Sequence, residues 1–192
     1  MLKADLRREY LEKRKALSDD EVADGSRKIF DRIFSEINLS KARTIHCFLS
    51  TAKFNEVETS ILFERVWSEF PGTRTAVPRV DVEADELEHV LYSRDTEMSQ
   101  SKWGIREPVG GETVEPEEID LVIVPLLCFD TALHRVGYGK GYYDRFLRRC
   151  RVDALKAGVS FFGPSEPIDD VHDGDFPLDL CITPDKIYLP ER

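Results

Sequence analysis

The sequence predicts a three-layer α/β fold in which a mostly parallel sheet carries helices on both faces. Apolar runs typical of strands alternate along the chain with segments of helical periodicity, as they do in such folds. The run "IDLVIVPLLCF", residues 119–129, is almost continuously apolar, which indicates a strand covered on both sides. No repeat, low-complexity tract or linker divides the 192 residues, so we expect one domain over residues 1–192.

The composition is that of a folded globular protein, with 41% apolar and 33% charged residues. The formal net charge of -10 argues against a general nucleic-acid-binding protein, because such proteins are usually basic. No segment approaches the roughly 20 apolar residues of a membrane span, and "MLKADLRREY" lacks the apolar core of a signal peptide. We therefore expect a cytoplasmic protein without nucleic-acid or membrane partners. The four cysteines are far apart and form no CxxC pair, so we expect buried thiols.

The first half of the chain begins with two predicted helices. Residues 2–16 form the first, in which Lys3, Arg7 and Arg14 fall on one stripe beside the apolar face. A capping box at residues 18–21 starts the second, which runs to about Ile37. A strand at residues 44–50 and a helix at about 59–70 follow, and a Pro-Gly pair ends that helix.

The second half contains most of the predicted strands. Residues 73–80 and 87–92 form two of them, the latter more exposed, and residues 93–118 are irregular with "WGIREP" as their apolar anchor. The buried strand at 119–129 precedes a glycine loop and a helix of about ten residues that begins at Tyr142. Strands at 154–162, 180–184 and 186–189 complete the chain.

The glycine loop lies in the string "HRVGYGKGYYDRFL", residues 134–147, between the buried strand and a helix. Ligands bind beyond the carboxyl ends of such strands, and a helix N-terminus favours phosphate. The three glycines let the backbone approach a ligand, Arg135 and Lys140 add positive charge, and Asp144 could hold a magnesium ion. The string is neither a Walker A loop nor a dinucleotide fingerprint. A turn without a ligand, with its tyrosines simply packed, is the alternative.

The longer string "RVGYGKGYYDRFL" resembles the signature of the 5-formyltetrahydrofolate cyclo-ligase family. Six further segments of this sequence resemble other blocks of the family and occur in the family's order. They are "KADLR", "FLSTAKFNEVETSILF", "VPRV", "WGIREP", "DLVIVPLLCFD" and "DFPLDLCITP". The resemblance implies a single cyclo-ligase domain related to the NagB and ribose-5-phosphate isomerase architecture. It also implies a reaction in which 5-formyltetrahydrofolate and ATP, with Mg²⁺, give 5,10-methenyltetrahydrofolate, ADP and phosphate. In that reaction the formyl oxygen attacks the γ-phosphorus, and the second folate nitrogen then closes on the formyl carbon as phosphate leaves.

The resemblance also implies which residues form the site. Those that match the ATP-binding positions are Lys3, Arg7, Arg135, Gly137, Tyr138, Gly139, Lys140, Gly141, Tyr142 and Tyr143. Those that match the folate-binding positions are Leu49, Glu56, Trp103, Tyr138 and Tyr142. Catalysis is assigned to Arg135, Lys140 and Tyr142, and Mg²⁺ to Asp144 and Asp175, with Asp173 as a rival of Asp175.

Two other functions remain open at this point. One is a folate- or nucleotide-binding protein of the same fold without turnover, although a triphosphate site is not needed to store folate. The other is a sugar-phosphate or CoA-ester enzyme of related fold, which would need a carboxylate nucleophile or base beside the phosphate loop. We expect ATP and 5-formyltetrahydrofolate as the partners and a monomer as the working form.

Overall fold

The computed structural model describes residues 1–100 and 106–190 of the chain. In these ranges the helices are α1 (Lys3–Lys15), α2 (Asp19–Glu36), α3 (Ser60–Glu69) and α4 (Tyr142–Arg149). The strands are β1 (Thr44–Cys47), β2 (Arg74–Asp81), β3 (Glu86–Leu91), β4 (Met98–Gln100), β5 (Arg106–Pro108), β6 (Leu121–Pro125), β7 (Cys128–Phe129), β8 (Arg135–Val136), β9 (Leu155–Val159), β10 (Leu180–Ile182) and β11 (Ile187–Tyr188). The predicted capping box is present, since Ser18 and Glu21 bond each other's backbone N–H.

The main sheet has the strand order β11-β10-β9-β6-β1-β2-β3. Its five inner strands pair in parallel, while β3 and β11 pair antiparallel at the two edges. This order confirms the predicted α/β class with a mostly parallel sheet. The relation to the NagB architecture remains an expectation.

Alternate side chains of the central strands bury themselves in two separate layers. Leu121 and Ile123 of β6 join a core cluster that contains apolar side chains of α2 and α3. Val122 and Val124 of the same strand join a second cluster, which contains Phe146 of α4. A parallel sheet covered in this way on both faces needs apolar residues at successive positions, which explains the unbroken apolar run. The three-layer prediction is therefore confirmed.

The predicted strand over residues 119–129 is too long. The strand β6 ends at Pro125, and the chain then forms β7, which pairs antiparallel with β8. Proline has no N–H to donate to a continuing ladder, which accounts for the break at this position. The glycine loop consequently follows the short β7–β8 hairpin and not the central strand.

Two further strand predictions need correction. Residues 93–118 were expected to be irregular, but β4 and β5 form a small antiparallel pair within them. These strands are short and largely exposed, so their sequence lacks the apolar alternation that reveals a strand. The first strand ends at Cys47, whereas residues 44–50 were predicted.

Helix α1 packs on the β7–β8 hairpin and not on a face of the main sheet. Its Leu6 and Tyr10 are buried in a third cluster with Leu127, Cys128 and Val136. This packing brings the basic stripe of α1 to the glycine loop that follows β8. No helix in residues 1–100 or 106–190 is both long and apolar enough to cross a membrane.

A pair of histidines is buried between the sheet and α4. His46 of β1 and His89 of β3 share a hydrogen bond of 3.2 Å and pack against Phe146. Burial lowers the pKa of His46 well below its usual value, and the neighbouring His89 adds to this shift. Burial, together with the positive charge of Arg149, lowers the pKa of His89 to about 4. Both rings are therefore neutral near pH 7.

We expect this pair to weaken the fold in mild acid. As the pH falls from about 6.5, the usual histidine pKa, the unfolded chain takes up protons that the folded chain does not bind. For His89 this difference in proton uptake continues down to about pH 4, because its pKa in the folded chain is about 4. The free energy of unfolding should fall by up to about 1.4 kcal/mol per pH unit for each histidine. Urea denaturation between pH 7 and 5.5 measures the slope, and His89→Leu should reduce it; an unchanged slope would assign it to other groups.

Candidate active site at the carboxyl edge of the sheet

A cavity of about 660 Å³ opens beyond the carboxyl ends of β1, β2 and β6. This edge is where ligands bind in open α/β sheets. The cavity brings together every predicted site residue in the described part of the chain, namely Lys3, Arg7, Leu49, Glu56, Arg135, Gly137, Tyr138, Gly139, Lys140, Gly141, Tyr142, Tyr143, Asp144 and Asp175. Trp103, which was predicted to contact folate, lies outside the described residues.

The cationic end of the cavity is built where α1 meets the glycine loop. The Lys3 ammonium forms an ion pair with the Asp175 carboxylate, and both side chains are largely buried. The Arg7 Nε donates a hydrogen bond of 2.9 Å to the carbonyl of Gly137. The basic stripe of α1 is therefore part of the cavity wall and not a solvated helix face.

Glycine is required at two positions of the loop for different structural reasons. Gly139 has φ of +90° and lies against the Arg7 guanidinium, to which a Cβ would approach within 3.3 Å. Gly141 has φ of +69° and is the residue that precedes the first turn of α4. Both positions require the left-handed region that glycine adopts at little cost. The loop can thus place its backbone directly against the arginine.

Arg135 is the best-buried cation of the cavity wall. Its guanidinium donates a 2.8 Å hydrogen bond to Asp144 Oδ1 and another to the carbonyl of Phe176. Burial lowers the pKa of Arg135, and the charge of Asp144 opposes that shift. The backbone N–H of Phe176 also donates to Asp144 Oδ1, at 3.1 Å. One ion pair thereby joins β8, the first turn of α4 and the segment around Phe176.

The two carboxylates predicted to hold Mg²⁺ both reach the cavity. Among the described residues, the hydrogen bonds to Asp144 both end on Oδ1, so its Oδ2 is available. Although burial acts to raise it, the pKa of Asp175 is lowered by Lys3 and by the backbone N–H of His172. Asp173 is not in the cavity wall, and its carbonyl accepts a hydrogen bond from Arg148.

This arrangement fits a magnesium ion that is coordinated mainly by the phosphate oxygens of a bound substrate and only partly by the protein. Within the described ranges, no group of three or more His, Cys, Asp or Glu side chains could hold a metal by itself. Magnesium commonly takes one or two protein carboxylates and completes its shell with phosphate oxygens and water. Asp144 can supply one such ligand, and Asp175 a second if it leaves Lys3.

The other end of the cavity is apolar around one carboxylate. Glu56 Oε1 accepts a 2.6 Å hydrogen bond from the Tyr138 hydroxyl. Its Oε2 accepts from the backbone N–H of Thr51 at 2.9 Å. The cavity lining also contains the apolar side chains of Phe48, Leu49, Phe54, Pro78, Val80 and Leu87, and the Phe54 ring packs against that of Tyr138. A flat, largely apolar ligand with a few N–H donors suits such a surface.

The three tyrosines of the loop have different environments. Burial, with the nearby charge of Glu56, raises the pKa of Tyr138. The Tyr142 hydroxyl donates a 2.9 Å hydrogen bond to Asp85 in the turn between β2 and β3. The Tyr143 hydroxyl is buried and has no hydrogen-bond partner among the residues that the structure describes. Tyr143 is therefore the one of the three with an unused donor at the cavity.

The structure also reveals site residues that the sequence reasoning missed. Arg14 is 5% exposed and contacts both Tyr138 and the loop before Glu56. Its place on the stripe with Lys3 and Arg7 was a usable signal. The lining also contains Thr51, Arg106, Glu107, Arg145 and His172. Arg145 lies on α4, and the others lie on loops or on the short strand β5, whose positions no local pattern predicts.

Comparison with known proteins gives a consistent result. A family model described as the 5-formyltetrahydrofolate cyclo-ligase family matches residues 1–163. The mouse (Mus musculus) 5-formyltetrahydrofolate cyclo-ligase is 28% identical over 185 residues, which cover 89% of each chain. The Escherichia coli K12 protein of the same name is 26% identical over 182 residues, 92% of this chain and 97% of that one.

Two solved structures are also similar over nearly the whole chain. The 5,10-methenyltetrahydrofolate synthetase of Aquifex aeolicus has a TM-score of 0.82 and 32% identity, and the match covers 100% of this chain and 94% of that one. The 5,10-methenyltetrahydrofolate synthetase of Mycoplasma pneumoniae has a TM-score of 0.76 and 27% identity, with coverage of 96% and 99%.

The contact between Gly139 and Arg7 predicts a sharp difference between two glycines of the loop. Gly139→Ala places a Cβ against Arg7 in a left-handed conformation, so we expect a lower free energy of unfolding by about 1 kcal/mol or more. Gly137→Ala is the matched control, because its Cβ would meet nothing within 4 Å. Urea denaturation of both variants makes the comparison. Equal stability of the two would contradict the packing described for Gly139.

Proposed function

Because the chain belongs to the 5-formyltetrahydrofolate cyclo-ligase family, we propose that it converts 5-formyltetrahydrofolate to 5,10-methenyltetrahydrofolate with ATP and Mg²⁺. ADP and phosphate are the other products. One observation carries the proposal: a single cavity joins a cationic end to an apolar end that contains a carboxylate. A triphosphate and a pterin need these two environments side by side.

The cationic end suits the triphosphate of ATP. Phosphoryl transfer depends mainly on positioning and on neutralising charge. Arg7 and Lys3 can exchange their present partners, the Gly137 carbonyl and Asp175, for phosphate oxygens. The N-terminus of α4 and the exposed Lys140 add further positive charge beside the glycines. Arg135 also lines the cavity, and its ion pair with Asp144 holds it beside the glycine loop.

The apolar end suits the folate. Leu49 and Phe54 provide apolar surface, and Glu56 provides an acceptor for an N–H of the pterin. Water is excluded from the apolar walls, which strengthens each hydrogen bond made there. The predicted folate contact of Tyr138 fits its place between Phe54 and the Glu56 carboxylate.

The reaction then needs little chemistry from the protein. The formyl oxygen attacks the γ-phosphorus of ATP, and the bond from that phosphorus to ADP breaks. The second folate nitrogen attacks the formyl carbon, the C–O bond breaks with departure of phosphate, and the nitrogen loses its proton to solvent. Arg135, Lys140 and Tyr142 are the proposed catalytic residues, with the two cations neutralising charge on the transferred group. A magnesium ion held by Asp144 and Asp175 supplies further neutralisation of the phosphate oxygens when it is bound.

We further propose that the enzyme is a cytoplasmic monomer. All four cysteines are free and buried, as expected in a reducing compartment.

The direct test of this function is an absorbance assay. Purified protein is mixed with 5-formyltetrahydrofolate, and formation of methenyltetrahydrofolate is followed with and without ATP and Mg²⁺. An increase in methenyltetrahydrofolate absorbance that requires both ATP and Mg²⁺ supports the proposal. Binding of folate and ATP without turnover would favour the non-catalytic alternative, and a lack of binding to either would contradict both.

The basic residues of α1 should contribute more to the binding of ATP than to the binding of folate. Charge-assisted hydrogen bonds to phosphate contribute about 1.5–3 kcal/mol, so Arg7→Ala should raise the KM for ATP about tenfold or more. The KM for folate should change little. Arg8→Ala is the control, because the Arg8 side chain is 77% exposed and its one ion pair within residues 1–100 and 106–190 is with Asp5 on its own helix. Equal ATP kinetics in Arg7→Ala and Arg8→Ala would remove Arg7 from the triphosphate site.

Asp144→Asn should have two separable effects. The charge that pairs with buried Arg135 is lost, so the melting temperature should fall. A carboxylate that can hold Mg²⁺ is also lost, so turnover should require a higher Mg²⁺ concentration. Rate is measured against Mg²⁺ concentration at a temperature well below the melting transition. Superimposable curves for variant and parent would leave Asp144 with only its structural ion pair.

A further inference from the structure

Arg14 lies at the far end of the basic stripe and points into the wall of the apolar end. Its side chain is 6% exposed. Its Nε and Nη2 donate to the Phe54 carbonyl at 2.9 and 2.6 Å, and Nη1 donates to the Leu126 carbonyl at 3.3 Å. Its Nη2 also donates to the Tyr138 hydroxyl at 2.8 Å. One guanidinium therefore joins α1, the loop before Glu56, the end of β6 and the glycine loop.

The loop before Glu56 returns this contact. Asn55, in a left-handed conformation with φ of 45°, donates from its side chain to the carbonyls of Arg14 and Leu17 at 2.9 and 3.0 Å. The Arg14 side chain thus donates to the backbone of the loop before Glu56, and the Asn55 side chain of that loop donates to the backbone of α1. The position of the 51–56 loop relative to α1 is fixed at two points, and Glu56 is at the end of that loop.

The charges in this cluster also determine the direction of each hydrogen bond. A guanidinium can only donate and a carboxylate can only accept. The Tyr138 hydroxyl therefore accepts from Arg14 and must donate its proton to Glu56 Oε1, 2.6 Å away. The hydroxyl has one orientation, and it connects the arginine to the carboxylate that faces the cavity.

Glu56 consequently has little acceptor capacity left for a ligand. A carboxylate has about four lone-pair positions. Oε1 accepts from Tyr138, and Oε2 accepts from the N–H and the hydroxyl of Thr51 at 2.9 and 3.3 Å. The remaining position is on Oε1, the oxygen whose orientation Tyr138 and Arg14 control. A ligand N–H must meet that oxygen in the place where this cluster holds it.

We propose that Arg14 is a positioning residue for the folate end of the cavity. It holds the Glu56 loop and the Tyr138 hydroxyl in their binding geometry before the ligand arrives, which reduces the ordering that binding requires. This inference rests on the proposed function, since Arg14 contacts Tyr138, which with Glu56 lines the same cavity, although Arg14 itself is not part of the lining. It touches no reacting atom, and its effect passes through Glu56 and Tyr138.

The test compares Arg14→Met, Arg14→Lys, Tyr138→Phe and the double variant Arg14→Met/Tyr138→Phe with the parent. Calorimetry gives the Kd of 5-formyltetrahydrofolate and, separately, of ATP. Arg8→Met is the matched control, because it makes the same substitution on the exposed face of the same helix. A thermal scan identifies any variant that does not fold, and Arg14→Lys, which keeps the buried positive charge, carries the test if Arg14→Met fails to fold.

We expect Arg14→Met and Tyr138→Phe each to raise the Kd of the folate about tenfold. The Kd of ATP should change less than twofold in Arg14→Met, a difference that a general loss of structure would not produce. In the double variant the Kd of the folate should also rise about tenfold and not a hundredfold, because both changes break the same chain of hydrogen bonds from Arg14 through Tyr138 to Glu56. Arg14→Lys should also bind the folate more weakly than the parent, since one ammonium group cannot reproduce the several N–H donors of the planar guanidinium.

Each contrary result would overturn the inference. Unchanged or tighter folate binding in Arg14→Met and Tyr138→Phe would leave Arg14 as a packing residue, while the proposed function would stand. Full recovery in Arg14→Lys would show that charge is sufficient and that the fork has no positioning role. Multiplicative effects in the double variant would separate the two residues. A parent protein that does not bind the folate would instead sink the proposed function, and this inference with it.

Discussion

The ion pair between Arg135 and Asp144 is the interaction on which the candidate site depends most. A guanidinium as buried as that of Arg135 must be paired, and removing one partner of a buried pair typically costs about 3–5 kcal/mol. The same pair connects β8 to the first turn of α4 and, through Phe176, to the segment that carries Asp175. The glycine loop runs between these connected points. This ion pair therefore anchors both ends of the glycine loop at the carboxyl edge of the sheet.

The cations of the site are held in place by partners that a ligand can replace. Lys3 is paired with Asp175 and Arg7 with a carbonyl of the glycine loop. Such contacts keep long side chains ordered, so less conformational entropy remains to be lost on binding. The cavity is thus prepared for an anion although the protein as a whole is acidic, with a net charge of -10. A local concentration of positive charge, and not the overall charge, determines what this edge can bind.

Helix α1 serves both ends of the cavity because of its own geometry. Its apolar face packs on the β7–β8 hairpin, and the basic stripe beside that face runs along the cavity. Arg7 reaches the glycine loop, and Lys3, one turn before it, reaches Asp175. Arg14, two turns after Arg7, reaches Tyr138 and the Glu56 loop. Residues spaced by four and seven positions return to nearly the same side of a helix. A single straight element can therefore support two chemically different regions.

The sequence by itself determined the fold class, the capping box of α2 and the family, because alternation, caps and the ordered glycine string are local signals. It also supplied the site residues that match the family's motifs, and all of those in the described ranges lie around one cavity. Tertiary structure alone decided that the chain after Pro125 forms a hairpin with β8, that His46 meets His89, and that Arg14 turns inward to Tyr138. These contacts join residues 43 and 124 positions apart in the two latter cases. Local periodicity says nothing about them, since they depend on strand order, on the register of the sheet and on the burial of charges that must find a partner.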